Sequence, residues 1–205
     1  MFRINGSGSI IGNLDTEDGK INGSGNVEGS VKAQEFKING SGQIKGGISG
    51  DNLTISGSAS IGENLDVQNV KIEGSVKIGC DCNAESFYSC GSFEINGLLN
   101  ADNINVGLFH FKSRVTEIGG GKINVAIGSS TGFKVLKTIF TLGIYNPVLE
   151  SETIEGDEIV LENTIAKVVR GTNVTIGRGC DIGLVEYKGV FRKIGDAKVA
   201  EERMV

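Results

Sequence analysis

Through its first half the chain repeats itself every seventeen residues. Gly6, Gly23, Gly40, Gly57, Gly74 and Gly91 stand at that interval, each followed by a serine: Ser7, Ser24, Ser41, Ser58, Ser75 and Ser92. A short period held this strictly confines the chain to a repeat architecture. One copy cannot bury its apolar face alone, so the copies must stack on one another into a continuous core.

Four apolar columns keep the same interval. Ile4, Ile21, Ile38, Ile55 and Ile72 form one, and Ile10, Val27, Ile44, Ile61, Ile78 and Ile95 a second. Leu14, Val31, Ile48, Leu65, Cys82 and Leu99 form the third, while Phe2, Phe36, Leu53, Val70, Phe87 and Ile104 form the fourth, interrupted by Gly19. Another column is small (Ala33, Gly50, Val67, Ala84, Ala101), as a crowded interior corner requires. Apolar positions two apart, separated by glycine-permitted corners, predict three short strands per rung. No stretch before residue 106 offers the three-and-four spacing of a helix, and isoleucine, valine and phenylalanine at the inward stations favour strand. The predicted fold is all-β, a parallel β-solenoid of about 12 rungs, roughly 58 Å long at ~4.8 Å per rung.

Composition agrees with an ordered chain. Glycine supplies 32 of 205 residues, with one proline and no tryptophan, yet 39% of residues are hydrophobic, which excludes a disordered linker; collagen would need proline and a three-residue period. Twenty basic and 25 acidic residues leave a net charge of -5, scattered rather than blocked, so nucleic acid is not an expected partner. No segment approaches the length of a membrane span, and Met1-Phe2-Arg3-Ile4-Asn5-Gly6 lacks the order of a secretory signal, so a cytoplasmic protein is expected. Four cysteines, three of them between Cys80 and Cys90, suit a reducing compartment better than a disulfide scaffold.

After Val106 the Gly-Ser signature stops, but a fainter period continues. Val125, Leu142, Ile159 and Ile176 form one candidate column, Ile123, Phe140, Val174 and Phe191 another, and Ile165 with Ile182 and Val168 with Val185 repeat it. The expected organisation is a regular β-helix over 1–106, a junction over 107–122, less regular rungs over 123–194 and a charged tail or cap over 195–205. The two repeat regions form either one stack or two stacked or hinged lobes. Gly119-Gly120-Gly121 and Asn146-Pro147 read as loops.

Candidate chemistry is sparse. Gly6-Ser7-Gly8-Ser9-Ile10-Ile11-Gly12 lacks the helix a phosphate loop needs, and no Walker-type sequence occurs, so no nucleotide is implied. His110, flanked by Phe109 and Phe111, is the only histidine and reads as a polar residue at the junction. Cys82 belongs to a core column, Cys80 to a corner and Cys90 to the column of Asn5, Asn22 and Asn39, while Cys180 is far along the stack; no metal site is expected. The serine ladder reads as a structural corner, and the acidic groups Asp15, Glu17, Asp18 and Glu150, Glu152, Glu155, Asp157, Glu158 as solvated charge. No catalytic residue and no cofactor are expected. Phe2 and Ile4, in the first rung, are the expected assembly contact.

The seventeen-residue Ile-Asn-Gly-Ser-Gly rungs resemble the bactofilins, bacterial polymer-forming cytoskeletal proteins, and in particular the longer Firmicutes-type members. Ser113-Arg114-Val115-Thr116-Glu117-Ile118-Gly119-Gly120 adds to the likeness, as does the run from Ile154-Glu155-Gly156 through Leu184-Val185-Glu186-Tyr187. The resemblance implies a right-handed parallel β-helix and nucleotide-independent, end-to-end assembly into non-polar filaments. It also implies a scaffold role in cell shape, envelope or motility, with the chain itself and envelope or motility proteins as partners; attachment to membrane is left open. Two competing readings are a hexapeptide-type acyltransferase, whose eighteen-residue rungs this period does not match, and a ligand-binding solenoid using the serine face.

Overall fold

The computed structural model describes residues 1–109, 111–128 and 147–205. Among them there is no helix: parallel strands stack as a β-solenoid of about 11 turns with ~17 residues per turn. One column can be followed from end to end: Leu14, Val31, Ile48, Leu65, Cys82, Leu99, Ile118, Ile154, Val169, Val185 and Glu202, each registered on the next.

The turns of the first half hold two strands where the spacing predicts three. After β1 (Phe2–Ile4), four-residue strands β2 (Ser7–Ile10), β4 (Ser24–Val27), β6 (Ser41–Ile44), β8 (Ser58–Ile61) and β10 (Ser75–Ile78) alternate with eight-residue strands. The longer ones are β3 (Leu14–Ile21), β5 (Val31–Ile38), β7 (Ile48–Ile55), β9 (Leu65–Ile72) and β11 (Cys82–Ser89). Each long strand covers two faces. In β5, Val31 and Ala33 point inward, then Phe36 and Ile38, and between them Gln34 and Glu35 both turn out. Two outward residues in succession break the alternation of a flat strand, so the chain rounds a corner while its hydrogen-bonded ladder continues.

The apolar columns close the interior. Ile21, Ile38, Ile55, Ile72, Ile44, Ile61, Ile78 and Ile95 are each at most 1% exposed, and burying a side chain of this size is worth about 1.5–3 kcal/mol. The Gly-Ser corners are tight because they stack directly. A Cβ on Gly40 would lie 2.1 Å from the Gly23 carbonyl oxygen, and one on Gly91 1.9 Å from that of Gly74. Closeness to the rung beneath, rather than an unusual backbone angle, excludes a side chain there. A column missing from the sequence reading sits just beyond each corner: Gly8, Gly25, Gly42, Ala59, Val76 and Phe93 face inward in register. A Cβ on Gly25 would meet Ile21 at 2.8 Å, whereas Phe93 has room to stand edge-on to Phe87, ring centroids 5.3 Å apart. Over the third to fifth rungs this column grows, Gly42 to Ala59 to Val76, as the Phe36, Leu53, Val70 column shrinks.

The second half is continuous with the first. β12 (Ser92–Leu108) and β13 (Ser113–Ile127) pair along most of their length, with a register shift between Ile95 and Leu98, so much of the expected junction at 107–122 is strand. Gly119, Gly120 and Gly121, read as a loop, lie within β13. β14 (Leu149–Leu161), β15 (Thr164–Ile176), β16 (Asp181–Tyr187), β17 (Phe191–Lys193) and β18 (Lys198–Met204) complete the stack. The expected tail at 195–205 contains β18, paired with β16 as the final rung.

The later column assignments are corrected. Ile159 stacks between Ile123 and Val174, and Val125 meets Leu161, which meets Ile176; Leu142 and Phe140 lie outside the described residues, as does Asn146. Ala166 and Val169, not Ile165 and Val168, register on Ile182 and Val185, and Ile165 is 46% exposed. The reason is spacing: partners stand 36 residues apart between β13 and β14, as Arg114 and Glu150 do, 15 apart between β14 and β15, as Glu158 and Asn173 do, and 16 apart between β15 and β16, as Arg170 and Glu186 do. A seventeen-residue ruler slips out of phase on each of these steps.

Two pairs of variants test this packing by thermal or denaturant unfolding. Ile38→Asp places an unpaired carboxylate among stacked isoleucines and should cost about 3–5 kcal/mol, whereas Ser41→Ala, on the exposed face, should cost under about 0.5 kcal/mol. Gly40→Ala should cost about 1–3 kcal/mol through overpacking. Gly6→Ala, whose added Cβ would meet nothing within 4 Å, should be close to neutral.

Candidate functional site

The two ends of the stack differ in kind. Among the described residues, at the first rung β1 pairs only with β3, and β2 only with β4, leaving the opposite edge of each unpaired. The side chains at that edge are the first members of the core columns: Ile4 is 8% exposed, and Phe2, Ile10 and Leu14 are half-buried against the core. The reading of the sequence singled out Phe2 and Ile4; the structure puts Ile10 and Leu14 on the same edge, a placement legible in the columns they begin. At the last rung, Lys193 registers on Ile176 and Glu202 on Val185, so charged residues occupy positions that are apolar one rung earlier. Charges at inward stations disfavour pairing with an apolar edge such as the first rung.

Polar ladders fasten the corners. Asn22 Nδ2 donates to Asn5 Oδ1 at 2.7 Å, and Asn39 Nδ2 to Asn22 Oδ1 at 2.9 Å. At another corner Asn13 Oδ1 accepts from the Ser30 amide at 2.9 Å, and Asp81 Oδ1 from the Leu98 amide at 2.8 Å, each satisfying a donor of the next rung. On the outer face of the last four rungs Glu155, Arg170, Glu186 and Arg203 stack with alternating charge. Arg170 Nε lies 2.6 Å from Glu186, which raises its guanidinium pKa; Arg203 is raised chiefly by Glu201 at 2.7 Å, with a smaller contribution from Glu186 at 3.6 Å.

Beside this charge ladder runs a groove of about 650 Å³ floored by Gly120, Gly156 and Gly171, where the small corner column leaves the backbone uncovered. Asp102, Glu117 and Glu186 border it, and Arg170 is already engaged by Glu186. Of the acidic residues read as solvated, Glu150 takes ion pairs from Lys112 and Arg114, which hold its carboxyl below the usual range, and Glu152 pairs with Lys167 at 2.7 Å.

The four thiols are dispersed over different environments. Cys80 is exposed and Cys82 is buried in its core column, where desolvation, with a smaller contribution from Asp66, pushes the thiol far above its ordinary pKa. Cys90 is half-buried with its Sγ 2.7 Å from the Tyr88 hydroxyl, a contact that, with burial, pushes the phenol up to about 12. Cys180 is buried, its Sγ donating to the Leu161 carbonyl at 3.4 Å, and burial raises its pKa as well. Among the described residues no group of three His, Cys, Asp or Glu side chains converges as a metal site. His110 lies outside the described residues. The serines remain exposed or half-exposed on their face, Ser92 Oγ donating to Ser75 Oγ at 3.1 Å.

Two relatives come from Bacillus subtilis (strain 168). The uncharacterized protein YhbF is 42% identical over 92 residues, 45% of this chain and 35% of YhbF. The uncharacterized protein YhbE is 44% identical over 98 residues, 48% of this chain and 39% of YhbE. The similarity thus covers under half of this chain and less than two fifths of either relative. No family model matches the chain, and no solved structure gives a significant match.

The thiol environments predict graded labelling. With a maleimide at neutral pH, Cys80 should react first and Cys90 more slowly, while Cys82 and Cys180 react only on unfolding. Mass spectrometry of the native protein would contradict the burial of the core column if Cys82 were modified as fast as Cys80.

Proposed function

We propose that this chain is a structural scaffold that assembles with copies of itself without nucleotide, in the manner of the bactofilins it resembles. The observation that carries the reading is the first rung: a parallel-sheet edge that no other described residue pairs, bearing Phe2, Ile4, Ile10 and Leu14 at inward stations. Such an edge exposes a row of backbone donors and acceptors together with apolar side chains, and it is a template for another strand.

The contact joins first rung to first rung through a two-fold axis. An isologous pairing buries apolar against apolar, whereas head-to-tail stacking would bring Lys193 and Glu202 against the apolar first rung. Extension into a non-polar filament then uses a second contact at the opposite end, where half-buried Phe191, stacked on Tyr187 with ring centroids 5.4 Å apart, and Val199 stand beside those charges. Among the described residues no helix is long and apolar enough to cross a membrane. A cytoplasmic scaffold acting near the envelope, in cell shape or motility, completes the proposal.

Negative-stain microscopy and light scattering of the untagged chain, without added ligand, test it. Elongated assemblies are expected. Phe2→Asp combined with Ile4→Asp should reduce their size while circular dichroism retains the β-sheet signal. A parent chain that stays monomeric at high concentration would overturn the scaffold reading, and full assembly of the double variant would move the contact elsewhere.

A further inference from the structure

The asparagine ladder at the Gly-Ser corner holds three Asn-Gly pairs one above another: Asn5-Gly6, Asn22-Gly23 and Asn39-Gly40. A fourth pair, Asn96-Gly97, lies at a different corner. The surroundings of the two groups differ at the atom that matters. Gly97 N–H donates to the Cys80 carbonyl at 3.1 Å, whereas the amides of Gly6, Gly23 and Gly40 make no hydrogen bond among the described residues. All three ladder asparagines are exposed.

We propose that this corner is a site of self-modification, where the three ladder asparagines convert to aspartate and isoaspartate in the folded protein in a fixed order. The free amide nitrogen of the following glycine attacks the asparagine Cγ, forming an N–C bond. The Cγ–Nδ2 bond breaks, ammonia leaves with the proton given up by the glycine nitrogen, and a succinimide remains. Water then adds to either carbonyl, opening the ring to aspartate or to isoaspartate, the latter carrying an extra methylene in the backbone. Glycine at the following position puts no side chain in the way of attack, and at Gly97 the bond to Cys80 holds the nucleophile.

The ladder sets the order. Asn5 accepts from Asn22 through its Oδ1, and its departing amide has no hydrogen-bond partner among the described residues. Asn39 has its Nδ2 committed to Asn22, and Asn22 is held at both ends, donating to Asn5 and accepting from Asn39. Asn5 therefore converts first, Asn39 next and Asn22 last. Consequences follow the same logic: a carboxylate at position 5 still accepts from Asn22, while one at position 22 loses its donor and faces the Asn5 oxygen.

The test incubates the full chain at mildly alkaline pH and maps peptides over time by mass spectrometry, reading a gain of one mass unit and the isoaspartyl isomer. A parallel sample unfolded in denaturant gives the intrinsic rate of each pair. Asn5 should approach its unfolded rate, Asn39 and Asn22 should lag in that order, and Asn96 should be the most strongly protected. Gly6→Ala, which fits the corner without contact, should slow conversion at Asn5 by an order of magnitude and leave the other sites unchanged. Conversion of Asn96 as fast as Asn5 in the folded chain, or of Asn22 ahead of Asn5, would overturn the proposal. So would equal rates in parent and Gly6→Ala. Asn5 adjoins the proposed first-rung contact, so the incubation is repeated on the chain carrying Phe2→Asp and Ile4→Asp, where the same order should hold even if self-assembly shields Asn5 in the parent; loss of the order in that variant would overturn the proposal whatever the outcome for the scaffold reading.

Discussion

In-register parallel stacking is the interaction on which every other property of this molecule rests. When a rung lies on its neighbour at ~4.8 Å, each side chain meets the residue one repeat away, so a side chain is selected by what stands above and below it. Isoleucine on isoleucine fills the interior; glycine on glycine allows two corners to touch; asparagine on asparagine makes a ladder in which Asn22 both donates to Asn5 and accepts from Asn39. The arrangement works because these residues are self-complementary. Charge is not, and where charges stack on the outer face of the last rungs they alternate in sign from Glu155 to Arg203.

The same rule explains how much of the fold was legible in the sequence. Through β11 the columns are invariant, and Ile21, Ile44 and Leu65 can be placed by counting seventeen. Past Leu99 the hydrogen-bonded register survives, but the chain between registered residues lengthens and then shortens. Counting therefore placed Ile165 where the structure has Ala166 and spread Ile159 into the wrong column. Register is set by neighbours in space, and only where rung length is constant does it project onto the sequence. The two-strand rung was hidden for a related reason: the corner skips registered pairing only at Gln34, resumes it at Glu35, and carries no glycine to announce it.

Candidate sites were less legible than the core. Phe2 and Ile4 were found as first members of columns, and the same argument reaches Ile10 and Leu14. The groove over Gly120, Gly156 and Gly171 was missed because it arises where partners stand 36 and then 15 residues apart, so the three glycines share no interval in the sequence. Contrasting end chemistry, apolar at the first rung and carrying Lys193 and Glu202 at the last, likewise depends on where the final register falls.

A stack of near-identical rungs has a weakness that one graded column reduces. Sliding a segment by a whole repeat keeps apolar columns on apolar columns, so the chain would have many nearly equivalent ways to wind. The progression from Gly42 through Ala59 and Val76 to Phe93 gives the later rungs distinct addresses. A slipped chain would set Phe93 where only Val76 or Ala59 fits, or leave a hollow where the ring belongs, and either fault is charged at the cost of overpacking or of a cavity. Rungs that look interchangeable are thereby ordered like the graduations of a vernier, and a copied or deleted rung would be tolerated best between the like-sized neighbours Gly25 and Gly42.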